Sequence, residues 1–464
     1  MATVAGQTPG RDRLQKAEPG MTASLGVAAA FELSWQALDE SAQQVAAVLS
    51  LFALVEIPWT LVEQCLPEVD AEELEEIRDR ALLGANLLKR VDQGMYQLHQ
   101  LLREFFAAKR SQRANDSALQ QRFYEVVIAE AKRVQEKPER SLIKESTVAI
   151  AHLQVAMERL TRPEQALEAA TCLFWLASLY HDQGRYVEAE PLYLRSLSIR
   201  EQQLGQDHLD VVLNLGTLAK LLRVQGRYPE AEPLCLRALA IRERKLGADA
   251  PDVAASLNDL AGLRSSQKRY PEAETLYLQA LAISEQQLEA DDPFVATSLN
   301  NLAGLYQLQG RSDEAESLYN RALNISERLY GEKSFEVAEI LHNLATLYYS
   351  QEQYSKAEPL LLFSLPIHER WLGETHPAVA ITINSLANLY QLQGRYVEAE
   401  PLYVQALEIL LNRLDNDHRH TQTVQQSFRL LLQKVMWARQ AEQLSDHPVT
   451  QKLLRRIQAG DTNA

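Results

Sequence analysis

The sequence predicts a mostly α protein, a solenoid of six helical hairpins preceded by a small domain of helices and one hairpin and by linker helices. Three observations predict it. The stretch NLAGLYQLQGRSDEAESLYNRAL at 301–323 returns 84 residues later as SLANLYQLQGRYVEAEPLYVQAL at 385–407. A turn residue falls every 42 residues, at Gly184, Gly226, Lys268, Gly310, Glu352 and Gly394. Two rows of alanine keep the same step, one from Ala177 to Ala387 and one from Ala189 to Ala399. Self-similarity at a fixed period marks stacked units that each leave an apolar face for the next to cover.

The elements follow in chain order. Residues 1–22 carry Gly, Pro and charge without periodicity and are expected to be disordered. Residues 23–110 hold three short apolar helices, AAAFELSWQAL, AAVLSLFAL and IPWTLVEQCL, then an acidic helix, AEELEEIRDRALLGANLL. LLKRVDQGMYQLHQ reads as two strands about the turn Asp92-Gln93-Gly94, and LLREFFAAKR as a closing helix. Residues 111–165 are amphipathic linker helices.

The six units occupy 166–419. In the fourth, Leu299, Leu302, Ala303 and Tyr306 make one helical stripe, and Ala315, Leu318, Tyr319, Ala322 and Leu323 make another. Glycine in the turn between them permits the left-handed backbone that ends the first helix. Lys268 and Glu352 must take that conformation with a modest strain. Pro229 and Pro271 sit at the start of second helices, where a missing N–H costs little, whereas Pro366 lies mid-helix and is expected to kink it. Residues 420–464 supply capping helices and a tail.

Bulk properties exclude several classes. With 62 acidic against 47 basic residues the net charge is −15, which argues against a nucleic-acid or anionic-lipid surface. Cys65, Cys172 and Cys235 are far apart and suggest neither disulfide nor zinc site. The first residues lack a signal-peptide core, and the longest apolar run, VAAVLSLFALV, is about half a membrane span. A cytoplasmic location is expected. No GxxxxGK[ST] occurs, so no phosphate cradle is expected, and no catalytic or metal-binding constellation stands out among the ten histidines. His418 and His420 are close in sequence but sit in a solvated connector. No enzyme, cofactor or metal is anticipated.

The pattern Leu-x-x-Leu-Ala-x-x-Tyr, followed by Ala, Tyr and Ala, resembles the tetratricopeptide repeat (TPR). The wording LNNLAGLY…AESLYNRALNI and the connector LGETHPAVA are similar to the 42-residue repeats of kinesin light chains. The resemblance implies a right-handed α-solenoid whose first helices line a concave groove, and a protein or peptide partner. FELSWQALDESAQQ and YQLHQLLREFF resemble the winged-helix-like domain that follows the nucleotide-binding domain in STAND-type (NB-ARC) ATPases. In that family a Met-His-Asp motif faces the nucleotide phosphate. Leu98, His99 and Gln100 stand there in this sequence, so the Asp is absent.

Residues that interrupt the apolar rule on the first helices are the binding candidates. Three before the repeated Ala stand Asn258, Asn300, His342 and Asn384; Asn388 and Lys220 stand one after; Arg223, Gln307, Tyr349 and Gln391 stand four after. A carboxamide offers donor and acceptor together, which suits an extended peptide backbone. The Asn row resembles the peptide-clamping asparagines of TPR grooves. Bracing between units is its alternative role. Lys220 and Arg223 would favour an acidic group near the second unit. Two functions therefore compete: a non-enzymatic scaffold, and the sensor half of a STAND system acting with a separately encoded ATPase, or a truncated remnant of one.

Overall fold

A computed structural model describes residues 19–136, 142–160, 162–414, 418–437 and 444–458. The chain divides into two compact bodies, Met1–Ala131 with Thr147–Arg159 and Lys132–Ser146 with Leu160–Ala464. Most of the expected disordered start, residues 1–18, lies outside the described residues, and the first helix already begins at Pro19.

The first body contains α1 (Pro19–Gln36), α2 (Glu40–Leu49), α3 (Trp59–Cys65), α4 (Ala71–Glu76) and α5 (Gln100–Arg110), then most of α6 (Asp116–Glu136) and α7 (Leu142–Arg159). Asp39 starts α2 by accepting from the Ala42 N–H at 2.7 Å. The anticipated strands are β2 (Lys89–Asp92) and β3 (Met95–Gln97). A further strand, β1 (Ile57–Pro58), pairs antiparallel with β3, so IPWTLVEQCL is strand then helix. The acidic helix also differs from expectation. After α4 the chain widens into a π-helical turn, Ile77–Leu83. Leu74, Ile77 and Leu82 are all buried, and the wider turn rotates Leu82 back to the face an α-helix would carry it away from. Aromatic packing holds this body, with Phe52 edge-on to Phe123 and to His152, and Trp59 against Tyr96.

The second body is the repeat array. First helices are α8 (Ala166–Asp182), α10 (Leu209–Val224), α12 (Pro251–Ser266), α14 (Pro293–Leu308), α16 (Phe335–Ser350) and α18 (Pro377–Leu392). Second helices are α9 (Tyr186–Leu204), α11 (Tyr228–Leu246), α13 (Tyr270–Gln287), α15 (Ser312–Tyr330), α17 (Tyr354–Leu372) and α19 (Tyr396–Arg413). The alanines of both rows are fully buried or nearly so, which lets each pair of backbones approach. Lys268 and Glu352 take φ of 62° and 61°, as the glycine turns do. α17 runs unbroken through Pro359 and Pro366. Burial of Leu361 and Ile367 on either side holds the helix in place where a lost N–H alone would weaken it. The array ends on α20 (Arg419–Trp437) and α21 (Pro448–Gln458). Phe428 stacks on Tyr403 with centroids 5.4 Å apart, and buried Glu400 accepts from the Ser445 N–H and the Thr450 hydroxyl.

An ion-pair ladder runs along the turn edge. Arg311 pairs with Glu314 of its own unit at 2.7 Å and with Glu274 of the preceding unit at 2.6 Å, over the ring of Tyr306. Arg227 and Arg395 repeat the arrangement with Glu230 and Glu190, and with Glu398 and Glu358. The fifth unit breaks it, with Gln353 at the arginine position and Lys356 where the other units have Glu. Gln353→Arg combined with Lys356→Glu should set a guanidinium opposite Glu316. We expect a gain of about 0.5–1 kcal/mol, read as a higher urea midpoint at low salt. An unchanged midpoint would show that the ladder adds nothing.

Coiling brings distant edges of the array together. A Cβ on Gly184, at the α8–α9 turn, would fall 2.5 Å from the Pro377 ring at the start of α18. The Tyr228 hydroxyl at the next turn accepts from Arg419 at 3.1 Å, across 191 residues. Both contacts join turn edge to connector edge at nearly the same sequence offset.

Candidate binding groove

Successive first helices from α10 to α18 lie directly beside one another, which puts them on the inner radius of the array. Of the positions the sequence singled out on them, Asn258, Asn384 and Gln391 are buried. The connectors that set each first helix use side-chain caps. Asp292 accepts from the Phe294 N–H at 2.8 Å, and the His208 and His376 imidazoles cap α10 and α18 in the same way.

Most members of the Asn row reach the next unit. Asn258 donates to the Ser298 hydroxyl at 2.8 Å, Asn300 accepts from Asn343 at 3.1 Å, and His342 meets the Ser385 hydroxyl at 3.1 Å. Burial pushes the His342 imidazole down to about 4, so it stays neutral. Asn258 and Asn384 are buried, and their carboxamide oxygens have no partner among the described residues. Asn388 and Gln391 both lie 2.6 Å from the Tyr403 hydroxyl. Gln307 accepts from the Tyr319 hydroxyl and donates to Thr346, each at 3.1 Å. Tyr349 packs against Tyr354.

The two cations differ. Lys220 is paired with Asp259 at 3.1 Å, an acid on the adjacent first helix that the sequence reading did not weigh. Arg223 has no ion-pair partner among the described residues. It lines a recess of about 330 Å³ together with Tyr277, Asn300, Asn301 and Gln307. Glycine makes that recess possible. A Cβ at Gly262 would lie 3.3 Å from the Tyr277 hydroxyl, and one at Gly304 3.4 Å from that of Tyr319. Second-helix tyrosines thus present hydroxyls toward the groove, which sequence reasoning missed. The signal was Gly directly after Ala261 and Ala303, opposite a tyrosine at the same place in the partner helix.

Other candidates fall elsewhere. His99 caps α5, its Nδ1 accepting from the Leu101 N–H at 3.3 Å. Among the described residues no group of three metal-ligating side chains converges, and no helix is long and apolar enough to cross a membrane. All three cysteines are free and buried, and burial pushes each thiol up to about 12.

Comparison with known proteins gives a family match. A sequence profile described as tetratricopeptide repeat matches residues 167–223, 211–286, 294–362 and 336–412. Together these spans cover just over half of the chain. No curated protein sequence matches. Among solved structures, BtubC (BKLC) from P. vanneervenii is 26% identical over 50% of this chain and 91% of its own, with a TM-score of 0.38. Kinesin light chain repeats from Podosopora anserina are 27% identical over 44% of this chain and 97% of theirs, with a TM-score of 0.35. A STAND protein with a TPR sensor from Pyrococcus horikoshii is 14% identical over 89% of this chain and 66% of its own, with a TM-score of 0.48.

Proposed function

The chain belongs to the tetratricopeptide repeat family, and on that premise we propose that it is a non-enzymatic scaffold holding an extended segment of a partner protein in its inner groove. The observation that carries this is the recess across α10, α12, α14 and α16, where Arg223, Asn300, Asn301 and the Tyr277 hydroxyl of α13 converge across successive units. Carboxamides and hydroxyls there can pair with backbone amides, and Arg223 can take an acidic group. Several weak contacts in series then make the affinity.

The Asn row divides by burial. Asn300 lines the recess, whereas Asn258 and Asn384 are buried and brace or fill the stack. Peptides selected from a display library on the full chain provide the test. Asn300→Ala should weaken them about fivefold, the worth of about 1 kcal/mol of lost hydrogen bond, with little change in melting temperature. Arg223→Glu should weaken the acidic peptides most and flatten their salt dependence. Asn258→Ala should lower the melting temperature instead. Peptides that bind all three variants as they bind the parent would refute the groove.

The N-terminal body supports a second reading, as the winged-helix-like part of a STAND-type regulator. Its support is the β2–β3 hairpin about Gly94 leading into α5. The acidic α4 makes it a poor phosphate tracker.

A further inference from the structure

A cavity of about 550 Å³ lies where the turn of the first unit meets the fifth unit and the connector to α18. Leu179, Asp182 and Tyr186 come from one edge, and Phe335, Glu336 and Trp371 from the other. The Phe335 and Trp371 rings are 5.8 Å apart. Asp182 and Tyr186 line the space together, and burial, with the Asp182 carboxylate adding to it, raises the Tyr186 phenol to about 12. Asp182 is held by the Gln135 carboxamide at 3.0 Å. Neither lysine nor arginine lines the cavity. Arg419, whose charge reaches Tyr186, is engaged by the Tyr228 hydroxyl.

Three aromatic rings and two carboxylates around one space define a ligand chemistry. Aromatic faces attract a cation through their quadrupole, and the carboxylates balance its charge. An anion would meet two like charges, and a neutral apolar molecule would desolvate the carboxylates without pairing them. We propose that this cavity binds an organic cation, an alkyl-substituted ammonium, which touches both edges of the array when bound. The site is separate from the groove, because none of the expected groove residues lines it. Failure of the groove reading would leave it standing.

The test uses the full chain at pH 7.5. Benzyltrimethylammonium is titrated calorimetrically against neutral benzyl alcohol. The cation should bind at least tenfold more tightly and should raise the melting temperature. Asp182→Asn with Glu336→Gln keeps the shape of the site and should weaken the cation tenfold or more. Trp371→Ala should do the same, and Trp371→Phe should restore most of the affinity. Equal binding of the two probes, undiminished binding by the carboxamide pair, or no binding of the cation at millimolar concentration would each overturn the proposal.

Discussion

Tyr319→Ala is expected to destabilise the array by about 3–5 kcal/mol, the range for deleting a buried aromatic side chain. Tyr319 is 1% exposed and packs in the core shared by the third to sixth units. Its ring fills the space that the small residues Ala303, Gly304 and Ala315 leave between helices. Truncation opens a void that the 42-residue register prevents from closing, because collapse in one unit would pull its neighbours out of step. Tyr319→Phe separates ring from hydroxyl. It keeps the packing and loses only the bond to Gln307, so about 1 kcal/mol is expected. Urea unfolding of both variants checks this. Similar losses for Phe and Ala would mean that the hydroxyl, not the ring, holds the joint.

Acid should destabilise both bodies through histidines buried in neutral form. Burial pushes His152 in the first body, and His368 in the array, down to about 3. His152 accepts from the Ala53 N–H at 3.1 Å, and His368 shares a hydrogen bond with Thr382 at 2.9 Å. An unfolded histidine titrates near 6.5, so the folded state disfavours the proton. That contribution is complete above about pH 6.5 and is lost progressively as pH falls toward 3. At pH 4.5 each should cost roughly 2–3 kcal/mol by linkage. The half-exposed Glu339 carboxylate, 3.8 Å from His368, softens the effect there. Urea midpoints at pH 7.5 and 4.5 give the slope, and His368→Gln should flatten it for the array. A midpoint that does not move between these pH values would contradict both assignments.

The array was legible because its information is local and repeated. One unit such as 299–323 shows the stripes, and six copies fix turns, alanines and boundaries. The left-handed turns at Lys268 and Glu352 could be read by register alone, against their own propensity. The N-terminal body has no such redundancy. Two residues, Ile57 and Pro58, are too few to announce a strand, and the π turn at Ile77–Leu83 follows from packing. In the groove, the sequence could place residues on a face but not choose their partners. Whether Asn258 faces a ligand or Ser298 depends on the rise between units, and Lys220 on an acid 39 residues ahead. The edge contacts joining Gly184 to Pro377, and Tyr228 to Arg419, leave no sequence signal.

Those edge contacts bear on how the array unfolds. A stack in which each repeat touches only its neighbours behaves as a linear chain of coupled elements, and it can fray inward from either end. Joining the first turn to the sixth unit, and the second turn to the cap, adds a coupling that skips the elements between. The first unit can then melt only by also depriving the sixth, so partly melted states that are cheap in an open stack become costly. The same link raises the mean sequence separation of contacts, which slows folding. Terminal helices should therefore exchange their amide hydrogens almost as slowly as central ones, through one concerted opening.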